Sequence, residues 1–409
     1  MNDVWITGMG IVSPLGAGLE AHRAALAASQ CGIRYIHQFP TDRFPVRIAG
    51  EIPDPELPHA AAGRTSILLE RALDQAFEDA GLDLASASPR RALSCALGKQ
   101  TVRLETLAAA LSAPESDPAA EPPRWPREFV CDWERREPAS ELDRLARRAG
   151  ALGPAYCCYT ACASGNDALG MGKRLIERGE ADVVVAAAAD CQVNPLSLLE
   201  FDLLDALAQG EPERACRPFD RQRTGFVVGE GAAVLVLESA PHARRRRARA
   251  RGYLSGYGSA LDCFGLTKCH PQGRGAAMAI AAALADAGRR PEEVGYINAH
   301  GTGTVLNDRA ESAAIYHVWG AGARRLPVSS TKSMTGHLIA AASAVEAVLT
   351  LLALEMQLLP ATLNYATPDP ECDLAVVATP RSAEFRVAMS NGFGFGGQNS
   401  ALVLEAPLP

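Results

Sequence analysis

The stretch PAYCCYTACASGNDALGMGKRLIERGEADVVVAAAAD, residues 154–190, decides the architecture of this chain. A short extended run precedes the turn TACASG at 160–165, and a run with helical periodicity follows it. The stretch then ends in ADVVVAAAAD, a continuous apolar run that is typical of a buried strand. The order predicts a strand, a sharp turn, a helix and a second strand.

Cys162 falls at this turn between small residues, which leave room for a bulky group beside the sulfur. A helix N-terminus favours a thiolate, so the position predicts a lowered thiol pKa and a nucleophile. An isolated cysteine in a turn is nevertheless structural more often than catalytic, and the decision depends on the rest of the chain. Cys157 and Cys158, on the preceding strand, are expected to be small core residues.

The composition of the 409 residues is that of a globular protein, with 48% hydrophobic and 21% charged residues. The net charge of −7 gives no reason to expect nucleic acid or an anionic membrane as a partner. Eleven cysteines without disulfide-like spacing indicate a reducing compartment. The N-terminus lacks the pattern of a signal peptide, and no charge-free apolar run reaches about 18 residues. We therefore expect a soluble, cytoplasmic protein.

The N-terminal region predicts a strand over VWIT, residues 4–7, followed by a loop, GMGIVSPLG. Gly8 and Gly10 could suggest a dinucleotide-binding turn, but that fingerprint needs a third glycine and an acidic residue about 20 positions on. Val12, Ser13 and Pro14 also stand where its helix should begin. Helices are expected at Leu19–Ser29 and Arg64–Ala80, with Gly81 as the C-cap of the second.

Residues 101–150 are the irregular part of the first half. They contain the proline-rich, charged run 113–128, which predicts an insertion-like loop before a helix at 139–150. The arginine-rich run 241–252 lies on a short helix between two strands, where it is expected to form a solvated face.

The second half repeats the plan of the first. Helices are expected at 273–288 and 308–319, and strand–turn–helix signals recur from 326 to 356. The chain closes with two strands joined by the glycine-rich segment NGFGFGGQN, which we expect to be a mobile loop rather than strand. Such repetition predicts a duplicated architecture of layered α/β sheets with buried helices between them.

Three turns of the second half carry polar groups. His300 follows a strand in NAHGTGT, and Lys332 and His337 lie in STKSMTGH before an apolar helix. A lone histidine in such a place is often structural. A buried lysine, however, is costly unless it is paired, and Glu346 on the next helix is the obvious partner.

Together these residues resemble the β-ketoacyl-[acyl carrier protein] synthases, types I and II, of the condensing-enzyme group within the thiolase superfamily. The resemblance covers nearly the whole chain. It rests on TACASG, RPFD followed by GFVVGEGAAVLVLE, NAHGTGT, SSTKSMTGH followed by AVEA, and SNGFGFGG. Each motif alone is weak evidence, but a chance match of all five motifs in the family's order is implausible.

The resemblance implies a thiolase-like, five-layered αβαβα fold with two duplicated halves, residues 1–250 and 251–409. It implies that Cys162 is the acylated nucleophile, that His300 and His337 are the histidine pair, and that Lys332 and Glu346 are the supporting ion pair. The implied substrate-binding residues are the threonines of the pantetheine arm, the gating aromatic and two further aromatics: Thr302, Thr304, Phe395, Phe393 and Phe226.

The implied reaction is decarboxylative condensation of an acyl group on Cys162 with malonyl-acyl carrier protein, in fatty acid or type II polyketide biosynthesis. It requires no metal or redox cofactor. The expected partners are acyl carrier proteins on both substrates and a second subunit, either identical in a homodimer or different in a heterodimer. Two alternatives remain: a non-elongating acyltransferase, which the histidine pair argues against, and a silent partner subunit, which Cys162 argues against.

The chain departs from the family in three places. The segment 101–150, with Arg103, Leu104, Trp125 and Trp133, replaces the glycine-containing floor of the acyl pocket, which predicts a reshaped pocket. Asp205 stands where some relatives place a basic carrier-docking residue, and Gln398 stands where threonine is usual. These departures favour a specialised pathway.

Overall fold

Two glycines in the first strand allow a helix to pack directly on it. In this computed structural model, which describes residues 4–54, 57, 61–98 and 138–407, the strand runs unbroken from Val4 to Ser13. A Cβ atom at Gly8 would lie 2.2 Å from the carbonyl oxygen of Ala76, and one at Gly10 would lie 1.9 Å from that of Ala72. The loop predicted after residue 7 is therefore wrong, because here glycine permits close helix–strand contact rather than a turn.

The strands form one extended sheet and two separate two-stranded sheets. In chain order they are β1 (Val4–Ser13), β2 (Gly16–Ala17), β3 (Arg34–Tyr35), β4 (Ile48–Ala49), β5 (Arg91–Leu97), β6 (Ala155–Cys158), β7 (Val183–Cys191), β8 (Glu230–Ser239), β9 (Gly252–Leu261), β10 (Tyr296–Asn298), β11 (Pro327–Ser329), β12 (Leu358–Leu359), β13 (Ala375–Val376), β14 (Arg381–Ser382), β15 (Val387–Gly394) and β16 (Gln398–Glu405).

The described helices are numbered in the same way. They are α1 (Leu19–Ala28), α2 (Ala61–Ala80), α3 (Pro138–Arg148), α4 (Ser164–Glu177), α5 (Pro195–Leu203), α6 (Pro212–Ala215), α7 (Ala240–Arg245), α8 (Arg274–Ala287), α9 (Val305–Trp319), α10 (Lys332–Thr335) and α11 (Ala342–Met356). The predicted helices are found to within a few residues, and Gly81 has the predicted left-handed conformation, with φ +62°.

The large sheet consists of two halves with the same topology. The first half has the order β6-β5-β7-β8-β1, and the second has β11-β10-β15-β16-β9 with β13 added at its edge. In each half the three outer strands are parallel and the two inner pairings are antiparallel. The halves join through a short pairing of β1 with β9. The duplication predicted from the sequence is therefore present in the topology.

Helices α4 and α11 lie between the two half-sheets, while α2 covers the outer face of the first and α8 that of the second. This gives the five layers αβαβα. The stretch Ile339–Met356 has the length and hydropathy of a membrane span, but 83% of it is buried inside the fold. Its apolar composition is that of a helix packed on both sides by sheets.

One of two further sequence predictions needs correction. Cys157 and Cys158 are only half-buried, because β6 is the outermost strand of its half-sheet. The arginine-rich run forms the expected solvated face with Arg244, Arg245, Arg247 and Arg249 exposed, while Arg246 pairs with Glu238 and Arg251 pairs with Asp79.

Candidate active site

Cys162 lies in a single 3-10 turn, Ala161–Ala163, between β6 and α4. Ala161 has a φ of +50°, an unusual conformation for a residue with a Cβ atom. The end of β15 packs directly on this turn, because a Cβ atom at Gly394 would lie 2.7 Å from the carbonyl oxygen of Thr160. The glycines at 392 and 394 thus belong to a strand, and the loop predicted for NGFGFGGQN is confined to Phe395–Gly397.

His337 contacts the sulfur directly. Its Nε2 lies 3.1 Å from Cys162 Sγ, and its Nδ1 accepts a hydrogen bond of 3.2 Å from the backbone N–H of Ile339. Because Nδ1 is an acceptor, the neutral ring carries its proton on Nε2. The imidazole therefore presents an N–H donor to the position occupied by the sulfur and by any group attached to it.

His300 stands beside His337, with the ring centroids 5.4 Å apart and the planes nearly perpendicular. Phe393 lies against His300 and Phe226 against His337, at 5.7 and 5.2 Å between centroids. Burial, and then the charge of Lys332, holds the pKa of both histidines well below the usual value. Both rings are therefore neutral at physiological pH, and each can donate one N–H.

Lys332 and Glu346 form the predicted ion pair. Lys332 Nζ lies 2.5 Å from Glu346 Oε1, and the two side chains are 1% and 2% exposed. Burial raises the pKa of Glu346 to about 7, although the nearby ammonium group lowers it. Lys332 opens α10 and Glu346 lies on α11, so the pair ties the two helices together behind the histidines.

The predicted lowering of the thiol pKa is not borne out. Cys162 is almost completely buried, and this burial raises the pKa of its thiol to about 12. Lys332 and the backbone N–H of Phe395 act in the opposite direction, but their effect is smaller. Loss of hydration therefore outweighs the positive groups around the sulfur.

Two buried carboxylates that sequence reasoning did not single out hold the loop that carries His300. Glu311 accepts hydrogen bonds from the backbone N–H groups of His300 and Gly301, at 2.9 and 2.7 Å. Asp308 accepts from the N–H of Gly303 at 3.2 Å. Both lie on the first turns of α9, directly after the HGTGT motif. This closeness to the motif is the sequence signal that could have identified them as residues that position His300.

A cavity of about 450 Å³ leads from Cys162 and the histidines to the surface. Thr302 and Thr304 line it, with their hydroxyl oxygens 3.0 Å apart, and Phe395 stands at its mouth with 38% of its surface exposed. Asp205 also lines the mouth, whereas Gln398 is not among the lining residues. All ten residues that the sequence singled out for the site thus lie in the cavity wall or directly behind it.

Cys162, His300 and His337 could also hold a metal ion, because their ligand atoms lie within 4.8 Å of one another. Thiolate and imidazole are common zinc ligands.

The pocket floor predicted from Arg103, Leu104, Trp125 and Trp133 lies outside the described residues, so that prediction stays untested.

Family models match both parts of the chain. Residues 1–243 match the beta-ketoacyl synthase N-terminal domain, and residues 251–366 match the beta-ketoacyl synthase C-terminal domain. The chain belongs to the beta-ketoacyl synthase family. The predicted family is thereby confirmed, and with it the assignment as an acyltransferase.

Relatives from two biosynthetic contexts match over nearly full length. The chain is 39% identical to the tetracenomycin polyketide synthase ketoacyl synthase alpha subunit of Streptomyces glaucescens, over 99% of this chain and 97% of that protein. It is 36% identical to 3-oxoacyl-[acyl-carrier-protein] synthase 2 of Coxiella burnetii, over 98% of each.

Solved structures of ketosynthases share the fold. One is a type II polyketide synthase acyl-carrier protein in complex with its ketosynthase bound to the hexaketide, with a TM-score of 0.89, 31% identity and complete coverage of both chains. Another is the ishigamide ketosynthase/chain length factor, with a TM-score of 0.85, 33% identity and complete coverage. The predicted thiolase-like fold is confirmed.

Proposed function

We propose that this enzyme is a 3-oxoacyl-[acyl carrier protein] synthase that condenses a Cys162-bound acyl group with malonyl-acyl carrier protein. We place it in the cytoplasm and in a polyketide or specialised fatty acid pathway. The observation that carries the proposal is the Nε2–H of His337 directed at Cys162 Sγ, with neutral His300 beside it. Two N–H donors at one buried point suit a reaction in which negative charge develops on a thioester oxygen.

The first step transfers the acyl group to the enzyme. The sulfur of Cys162 attacks the thioester carbon of the acyl carrier, the bond to the pantetheine sulfur breaks, and the thiol proton leaves with that sulfur. A high thiol pKa means that the proton must depart as the new bond forms. Negative charge develops on the thioester oxygen during this attack. The backbone N–H of Phe395 lies within hydrogen-bond reach of the sulfur, and with the N–H of Cys162 it can stabilise that oxyanion.

The second step generates the carbon nucleophile. The malonyl carboxylate leaves as CO2, and its electron pair forms an enolate whose oxygen accepts N–H bonds from His300 and His337. Lys332 is held by Glu346, so it contributes a fixed positive charge rather than acting as a base. The enolate carbon then attacks the acyl-Cys162 thioester, and the C–S bond breaks with its electron pair on the sulfur. The Cys162 thiolate takes up a proton from solvent, and the 3-oxoacyl product departs on the second carrier. Each step uses only groups of the chain, the two substrates and a solvent proton, without a metal or redox cofactor.

The proposal is tested by incubating the purified enzyme with acyl and malonyl carriers and following both carriers by intact-protein mass spectrometry. We expect a 3-oxoacyl carrier from the wild type and no acyl adduct on the Cys162→Ala variant. His300→Ala and His337→Ala should still acylate Cys162 but release CO2 about 10²–10³-fold more slowly, because each lacks one donor to the enolate.

The histidine variants distinguish condensation from simple acyl transfer. If both variants release CO2 at the wild-type rate, or if the wild type acylates Cys162 but never consumes malonyl carrier, the condensing mechanism is wrong. A non-elongating acyltransferase would then account for the data.

A further inference from the structure

Asp190 is a buried carboxylate near the catalytic residues that no step of the proposed reaction uses. It lies at the end of β7, and only 1% of its surface is exposed. Its oxygens accept hydrogen bonds from the N–H of Ala340 at 3.0 Å and from Nε2 of Gln192 at 2.7 Å, and within the described ranges no lysine or arginine pairs with it. Burial raises the pKa of Asp190 to about 7, although these hydrogen bonds lower it. A carboxylate that is buried without a cation is costly, so its place here calls for a role.

The hydrogen bond from Ala340 attaches Asp190 to the segment that follows His337. In this segment Ile339 has a φ of +47°, which is an outlier for a β-branched residue. The N–H of Ile339 donates to Nδ1 of His337 at 3.2 Å, and the next N–H, that of Ala340, is the one that Asp190 accepts. A backbone in such a conformation persists only where its surroundings fix it. Asp190 supplies one of these fixing contacts.

Asp190 lies in the first half of the molecule, whereas His337 and its neighbours lie in the second. The backbone of His337 is held by Val227 and Gly229, since its N–H donates to the carbonyl of Val227 at 2.7 Å and its carbonyl accepts the N–H of Gly229 at 2.8 Å. These two bonds fix where His337 lies but not which of its ring nitrogens carries the proton. The position of the Ile339 N–H decides that, and Asp190 acts on the adjacent peptide group.

We propose that Asp190 is a positioning residue for His337: by anchoring the N–H of Ala340, it keeps the N–H of Ile339 on Nδ1 and so keeps the ring proton on Nε2. The inference rests on the proposed function, in which Nε2–H of His337 donates to the enolate oxygen. The tautomer of a histidine is set by the hydrogen bond that its other ring nitrogen makes. Without the anchor the proton can move to Nδ1, and Nε2 then presents a lone pair to the enolate where a donor is needed.

The tautomer of His337 can be measured by 15N NMR of protein with 15N-labelled histidine, and the His337→Ala variant identifies its signals among the eight histidines. At about pH 8.5, where Asp190 is ionised, we expect the wild type to have a protonated Nε2 and an unprotonated Nδ1. Asp190→Ala should populate both tautomers. Asp182→Ala is the matched control, because it removes a carboxylate at the other end of β7 that pairs with Arg90, and it should keep the wild-type tautomer.

The two half-reactions give a second readout. In Asp190→Ala, CO2 release from the malonyl carrier should fall about tenfold in kcat with KM unchanged, because the lost interaction acts on the developing enolate. Acylation of Cys162 should stay within about threefold of the wild-type rate, because it does not require the enolate donor. Asp190→Asn should keep at least about a third of the CO2 release, because its amide oxygen can accept from Ala340 while Gln192 turns its own amide to meet the new NH2 group.

A merely structural role would lower stability or slow both half-reactions without changing the tautomer. The wild-type tautomer in Asp190→Ala, a changed tautomer without slower CO2 release, or equal losses in the Ala and Asn variants would each overturn the positioning role. If circular dichroism shows that Asp190→Ala does not fold, Asp190→Leu replaces it in both measurements, since leucine fills the space without an acceptor. No CO2 release by the wild type would overturn the proposed function, whereas the tautomer measurement would still decide whether Asp190 positions His337.

Discussion

The pKa of Cys162 reflects two opposing effects on one sulfur atom. Position before a helix favours the thiolate, but the side chain is only 6% exposed, and loss of water favours the neutral thiol. The second effect is larger, so the pKa is about 12. The sequence shows the turn and the helix but not the depth of burial, which depends on the strand from the other half that packs over it.

This balance predicts the pH dependence of alkylation. Iodoacetamide reacts with the thiolate, whose fraction rises about tenfold per pH unit while the pH is below the pKa. We therefore expect the alkylation rate of Cys162 to keep rising from pH 7 to pH 10 without a plateau. Peptide mapping by mass spectrometry measures the rate, and exposed Cys263 in the same sample is the internal reference. A plateau below pH 8 would show that the positive groups outweigh burial.

Sequence reasoning found the candidate reacting residues more readily than the residues that position them. Position alone favoured a structural role for Cys162 and His300, and the roles of Cys162, His300 and His337 were predicted from the five family motifs taken together. Glu311 was missed because its role is to accept two backbone N–H groups, and a sequence does not show which N–H groups lack an acceptor. Ser343, whose hydroxyl accepts the N–H of Asn166 at 2.9 Å, was missed for the same reason.

At the scale of elements, the two-residue and 3.6-residue periodicities located most strands and helices, whereas the glycine segments were misjudged. Gly8, Gly10, Gly392 and Gly394 were assigned to loops, yet all four lie within strands. Glycine in a strand lets another backbone approach closely, and that approach is a tertiary contact that local sequence does not reveal.

The ion pair between α10 and α11 gives a prediction at this scale. Removing one partner leaves a buried group unpaired, so Lys332→Met and Glu346→Leu should each destabilise the fold by roughly 3–5 kcal/mol. The double variant should be less destabilised than either single variant, because it buries no unpaired charge. Urea denaturation followed by circular dichroism measures the three variants. If the free energy of unfolding falls in the double variant by as much as in the two single variants combined, the two residues are not energetically coupled as a pair.

At the scale of the whole molecule, the large sheet has two ends, and the described residues leave apolar side chains exposed at one of them. β6 pairs with β5 on one side and forms the end of the described sheet on the other. Leu152, Tyr156 and Tyr159, on and beside it, are 67%, 41% and 55% exposed. An unpaired strand edge with apolar neighbours is a template for another chain, and it directly precedes the turn that carries Cys162.

We therefore expect β6 to be covered by a second copy of this chain in solution. Size-exclusion chromatography with light scattering should give a dimer, and the double variant Leu152→Asp/Tyr156→Asp should be a monomer at the same concentration, because paired charges on the edge oppose strand association. Met278→Asp, a charge placed on an exposed apolar residue of α8, should remain a dimer. An unchanged dimer in the edge variant would place the interface elsewhere, and a monomeric wild type would contradict self-association and leave β6 free for a different subunit.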